Sequence, residues 1–133
     1  MPMPTISLGR CLNDPHLFAN HFRNKSWAGW KVFLRALFAE PPGPDDLELY
    51  RARTGRTNWP TEPFTEAVTI VGRRGGKSRI LALIAVYLAA FRDYAPYLAP
   101  GEVATIGVLA VDKGQARAIF RFVLGLLKAV PML

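Results

Sequence analysis

The apolar positions of this chain change period twice. Trp27, Trp30, Phe33, Leu34, Leu37 and Phe38 return every third or fourth residue. That spacing is one helical stripe, and it predicts a helix over 27–39 begun by Ser26. An aromatic stripe at helical period is read as core packing in preference to base stacking. Pro41-Pro42-Gly43-Pro44 closes the helix. Asp45 or Asp46 then begins a short helix through Leu47, Leu49, Tyr50 and Arg53, which breaks at Thr54-Gly55-Arg56-Thr57. Upstream, Pro2, Pro4 and Pro15 argue against a long helix before Asn24, and Asn13-Asp14-Pro15 predicts a helix start.

Beyond Trp59-Pro60 the pattern shifts to β-branched runs. Residues 65–71 (Thr-Glu-Ala-Val-Thr-Ile-Val) predict a strand, and a mostly apolar helix follows from Ser78 to about Tyr94. Residues 103–111 predict a second strand, apolar without alternation and so buried on both faces. Asp112 ends it and caps a third helix over 113–128, with Ala116, Ile119, Phe120, Val123, Leu124 and Leu127 inward. The order strand, loop, helix, strand, helix predicts an α/β fold. It predicts right-handed crossovers and a parallel sheet with flanking helices, incomplete within this chain. The expected division is a helical segment over 1–60 and the first part of an ATPase core over 61–133.

Between the first strand and its helix lies Gly72-Arg73-Arg74-Gly75-Gly76-Lys77-Ser78. Glycines let backbone N–H groups approach a phosphate closely, and the following helix start adds its own amides and partial positive charge. In a loop of this kind Lys77 reaches the β- and γ-phosphates and the Ser78 hydroxyl holds Mg²⁺. The consensus G-x-x-x-x-G-K-[ST] places a glycine where this chain has Val71, so the loop is a deviant form. The plain alternative is a glycine turn followed by a chance Lys-Ser. Asp112 ends an apolar run as a Mg²⁺-holding acid would, but Lys113 follows it, and capping is the simpler role.

Composition narrows the partners. The chain has 133 residues, 50% of them hydrophobic, which suits one globular domain. A net charge of +7 favours an anionic partner such as nucleic acid, nucleotide or a membrane surface. Cys11 is the single cysteine, which excludes an internal disulfide framework and a cysteine zinc site. His16 and His21 are five apart, not the four that aligns two ligands on one helix face. The apolar run from Ile80 to Phe91 is too short to span a bilayer.

With these residues in place, the chain resembles the N-terminal ATPase region of a tailed-phage terminase large subunit, the motor that packages DNA into procapsids. The similarity runs through Ser26-Trp27-x-x-Trp30, Tyr50 with Thr54-Gly55-Arg56, the loop Gly72–Ser78, Pro100-Gly101-Glu102 and Asp112-Lys113-x-Gln115-Ala116. Terminases often carry arginine-bearing deviant loops. The resemblance implies a phosphate-loop NTPase fold of RecA-like type, with ATP and Mg²⁺ as cofactors and Lys77 and Arg73 as the catalytic cations at the γ-phosphate. Arg56, Gly72, Arg73, Arg74, Gly75, Gly76, Lys77 and Ser78 would line the nucleotide, Arg56 near the adenine, and Ser78 would be the metal ligand. It also implies double-stranded DNA, a terminase small subunit and a portal protein as partners, and a homo-oligomer on the portal. The expected place is the host bacterial cytoplasm, with no membrane association. The family continues into an acidic strand with Asp-Glu, a coupling motif and a nuclease domain. This chain stops at Leu133 without them, so it is expected to be an amino-terminal piece that binds ATP but does not hydrolyse it alone. Rival readings are another RecA-like or helicase-type ATPase fragment, and a non-catalytic DNA-binding module using Arg73, Arg74, Lys77 and Arg79 as a basic patch. A fragment unable to fold by itself is a third.

Overall fold

The computed structural model describes residues 5–133 and is built from helices. They are α1 (Leu8–Asn13), α2 (Ala28–Leu37), α3 (Asp46–Thr54), α4 (Lys77–Ala90) and α5 (Lys113–Ala129), joined by turns of tighter pitch at Ala19–His21, Lys25–Trp27 and Ala95–Tyr97. The chain divides into two compact units, Ser7–Ile70 and Val71–Leu133, the latter with Thr5 and Ile6.

In Ser7–Ile70 the helices are tied by polar groups far apart in sequence. Ser7 caps α1 by accepting from the Arg10 N–H at 3.2 Å. The Glu40 carboxylate also accepts from the N–H groups of Leu8 (3.0 Å) and Gly9 (2.7 Å). A negative charge thus meets the positive end of α1. A Cβ on Gly9 would stand 3.1 Å from the Glu40 Oε1, so glycine leaves room for that approach. On α2, Arg35 donates through Nε to Asp46 Oδ2 (2.6 Å) and through Nη2 to Oδ1 (2.9 Å). Asp46 also accepts from the Gly43 N–H at 2.8 Å. The Arg35 hydrogen bond, helped by that backbone donor, holds the Asp46 carboxyl below the usual range. Val32, Ala36 and Tyr50 are buried with Leu47, Leu49 and Trp59 against them, and the Trp59 indole donates to the Glu40 carbonyl at 2.9 Å. Leu8, Cys11, Leu12, Leu17, Phe18, Phe22 and Leu34 of this unit are buried as well.

In Val71–Leu133, α4 packs on α5. Ile80, Leu83, Val86 and Tyr87 of α4 are buried, as are Ile119, Leu126 and Val130 at α5. The Tyr87 hydroxyl donates to the Ile6 carbonyl at 3.1 Å, and Thr5 donates twice to the Phe91 carbonyl. Asp112 accepts from the Gln115 N–H at 2.8 Å and so caps α5, the role expected of it.

The parallel sheet of a RecA-like core is overturned. About half of the residues are helical, and among the described residues no ladder extends beyond a single bridge position at Arg92. The runs 65–71 and 103–111, expected as strands and the second as buried on both faces, form neither strand nor helix. Ile70, Leu109 and Val111 are almost wholly exposed. Local composition marks a segment as strand-like, but a strand exists only when another segment completes its hydrogen bonds. Here α4 buries its apolar residues with α5, and neither run is drawn into a core.

Smaller corrections have local causes. Asp14 ends α1 and accepts from the His16 N–H at 2.8 Å, forming a turn where a helix start was expected. Asn24, not Ser26, supplies the side-chain cap before α2, accepting from the Ser26 N–H into the Lys25–Trp27 turn. Val32, Leu34 and Ala36 are the buried residues of α2, while Trp27 and Trp30 are half-buried in edge-on contact with Phe22 and Phe33. α4 stops at Ala90, four residues before Tyr94. Gly55, left-handed at φ 71°, ends α3 where expected. Pro2 and Pro4 lie outside the described residues.

Candidate anion-binding loop

The loop Gly72–Ser78 is built by a tight turn that feeds directly into α4. The Gly75 N–H donates to the Gly72 carbonyl at 3.2 Å, closing the turn over Arg73 and Arg74. Arg74 (φ 58°) and Gly76 (φ 83°) are both left-handed. Left-handed residues beside right-handed ones turn successive N–H groups toward one side, the concave backbone arrangement that takes up an anion. Gly76 then serves as the N-cap of α4, and no side chain caps that helix start. The amides of the first helical turn and the positive end of the helix dipole therefore lie at this turn.

The expected site residues divide into two sets. Arg73, Arg74 and Lys77 are exposed around the turn, and Gly75, Gly76 and Ser78 are half-buried. Arg56 belongs to the other unit, Ser7–Ile70. Its guanidinium lies over the Phe64 ring at 5.2 Å, and its N–H donates to the Thr54 hydroxyl at 3.1 Å. Asp112 is held by its cap on α5.

One feature of the loop escapes a reading of the motif by itself. Val71, which stands in place of the consensus glycine, packs against Gly75. A Cβ on Gly75 would lie 2.3 Å from the Val71 Cγ1 and 3.1 Å from the Gly72 carbonyl oxygen. Gly75 is therefore required by packing, while a Cβ on Gly72 would meet nothing within 4 Å. The valine and the inner glycine are one steric unit, and the deviation from consensus is absorbed inside the loop.

The donor set fits a polyphosphate. It offers a helix start without a side-chain cap, two left-handed residues and three exposed cations. For a metal it supplies one hard oxygen, the Ser78 hydroxyl. Among the described residues no three His, Cys, Asp or Glu side chains gather into a metal-holding group. Among the described residues no helix is long and apolar enough to cross a membrane. No family model matches the chain, and no curated protein or solved structure matches it either.

Proposed function

We propose that Gly72–Ser78 binds the phosphates of ATP, and that the chain is the nucleotide-binding part of a viral DNA-packaging motor of the terminase large-subunit kind. The observation that carries the nucleotide reading is the turn itself: left-handed Arg74 and Gly76 run straight into a helix start that no side chain caps. The packaging-motor part rests on the order of the sequence motifs. Anion capture itself needs no sheet, because it resides in the turn and the helix it opens.

The roles follow from position. Lys77, exposed at the first residue of α4, holds the terminal phosphates as a point charge. Arg73 and Arg74 flank the turn, and Arg73 is the cation for the γ-phosphate. Gly75 and Gly76 let the backbone come close, and Ser78 supplies the metal-ligating hydroxyl. Magnesium nucleotide brings a phosphoryl group activated by metal charge. The chain's own residues bind and orient it.

Displacement of a fluorescent ATP analogue tests the reading. ATP and ADP should compete while AMP does not, because the recognised part is the β- and γ-phosphates. Equal competition by AMP, or no binding by folded protein, would contradict it. Ser78→Ala should remove the dependence on Mg²⁺ while leaving metal-free binding in place.

A further inference from the structure

The positive charge of the chain is concentrated in one unit. Val71–Leu133 holds nine Lys and Arg against three Asp and Glu, a net +6, whereas Ser7–Ile70 holds eight against seven, a net +1. Four of those nine cations lie on α5. Lys113, Arg117, Arg121 and Lys128 are all exposed, and the helix contains no Asp or Glu. Steps of four, four and seven residues keep them within one stripe of the helix surface. The stripe is about 22 Å long at 1.5 Å per residue, and the four-residue steps space cations about 6 Å apart. Among the described residues none of the four is ion-paired. Phe120 and Leu124, expected inward, lie along the edge of this stripe at 61% and 41% exposure.

We propose that this stripe of α5 is a binding surface for the phosphate backbone of nucleic acid, with duplex DNA as its ligand. The choice of duplex rests on the packaging-motor reading; the surface rests on charge and geometry. A row of like charges with no acid among them repels itself unless an anion of similar length lies against it. A phosphate backbone is such an anion, with its charges repeated along the groove edge. A membrane surface is the other long anion, but an amphipathic helix enters one through its apolar face. Ile119 and Leu126 are buried where α5 packs on α4, which leaves Phe120 and Leu124 as the exposed apolar residues beside the cations, two against four charges. Contacts to the phosphate backbone carry no sequence information, so binding through this stripe is independent of sequence.

The test is fluorescence anisotropy with labelled 20-base-pair duplexes of two unrelated sequences, in the absence of nucleotide, from 50 to 200 mM salt. Four phosphate contacts give log K a slope near −3.6 in log salt, roughly a hundredfold weakening over that range. Arg117→Gln with Arg121→Gln should lower the slope by about 1.8, equally for both sequences. Lys25→Gln with Arg53→Gln removes the same charge from the other unit and should leave the slope unchanged. Circular dichroism of each variant reports whether the helices persist. An unchanged slope in the α5 variant, an equal loss in both double variants, absence of DNA binding, or capture by phosphatidylserine vesicles in place of DNA would overturn the proposal. Lys77→Ala separates the two readings. It should abolish ATP binding and keep the α5-dependent change in slope, and wild type that binds DNA this way but not ATP would sink the nucleotide reading alone.

Discussion

The two units use charge in opposite ways. In Ser7–Ile70 the acids are nearly equal in number to the bases, and key ones are consumed internally: Asp46 grips Arg35, and Glu40 holds the first amides of α1. In Val71–Leu133 the cations outnumber the acids three to one, and Asp112 is occupied by a backbone amide. The first unit is a scaffold whose electrostatics close on themselves. The second presents its charge to solvent, at the loop before α4 and along α5. A net charge of +7 is therefore less informative than where the opposing charges are missing.

The largest effect expected from breaking this contrast is in the closed unit. Asp46→Ala leaves the Arg35 guanidinium and the Gly43 N–H without their acceptor, and should cost about 3 kcal/mol in urea unfolding. Removing a cation from the open unit, as in Arg121→Gln, should change stability by less than about 0.5 kcal/mol. Similar losses at the two sites would erase the distinction. The lowered carboxyl of Asp46 adds a pH signature. Its folded-state value lies below the unfolded one, so its contribution is complete above the unfolded carboxylate range, near pH 4, and is lost as pH falls through the depressed value. Wild type should therefore lose stability on acidification more steeply than Asp46→Asn.

Next comes the loop. Gly75→Ala drives a methyl group into Val71 and should cost about 2 kcal/mol, with loss of nucleotide binding. Adding Val71→Gly removes the nearer collision and should recover part of that loss, measured as a coupling in a double-mutant cycle. Strict additivity would show that the valine and glycine are not one unit.

Cys11 sharpens the comparison from the alkaline side. Burial, with Glu40 and Asp14 nearby, pushes its thiol up to about 12. The folded state then holds its proton more tightly than the unfolded state. Stability from this source is complete below about pH 9 and falls as pH rises toward 12. Wild type should lose more stability between those values than Cys11→Ala, and its thiol should react slowly with a disulfide reagent below pH 9. Fast modification of folded protein would contradict the burial.

The smallest effects come from two left-handed residues that are not glycine, one in each unit: Ala39 (φ 51°) and Arg74 (φ 58°). Glycine at either should raise stability by up to about 1 kcal/mol as strain is relieved, partly offset by a more flexible unfolded chain. Ala39→Gly should leave ligand binding unchanged, whereas Arg74→Gly should weaken nucleotide binding severalfold. Equal behaviour in a binding titration would place Arg74 outside the site.

What was legible in the sequence was mostly local. Asp112 before a periodic apolar run announced α5 and its cap, Gly55 ended α3, and Gly-Gly-Lys-Ser marked the start of α4. The sheet was misread because the β-branched character of 65–71 and 103–111 says nothing about which segment would pair with them. Asp14-Pro15 was ambiguous by nature, since the same residues begin helices and build turns. Contacts across long separations, such as Glu40 to Leu8 and Arg35 to Asp46, had no signal in spacing at all. Within the loop, the motif named the residues, but the collision between Val71 and a side chain at 75 emerges only from backbone geometry. The cationic row at 113, 117, 121 and 128 is written in the sequence as steps of four, four and seven, interleaved with the apolar period of the same helix.

The most direct test is calorimetric titration of folded chain with Mg²⁺-ATP, beside Lys77→Ala. The wild type should show one saturable site, lost in Lys77→Ala while the helical signal stays the same. Binding that survives in Lys77→Ala, or none in a folded wild type, would contradict the assignment of Gly72–Ser78 as a nucleotide loop.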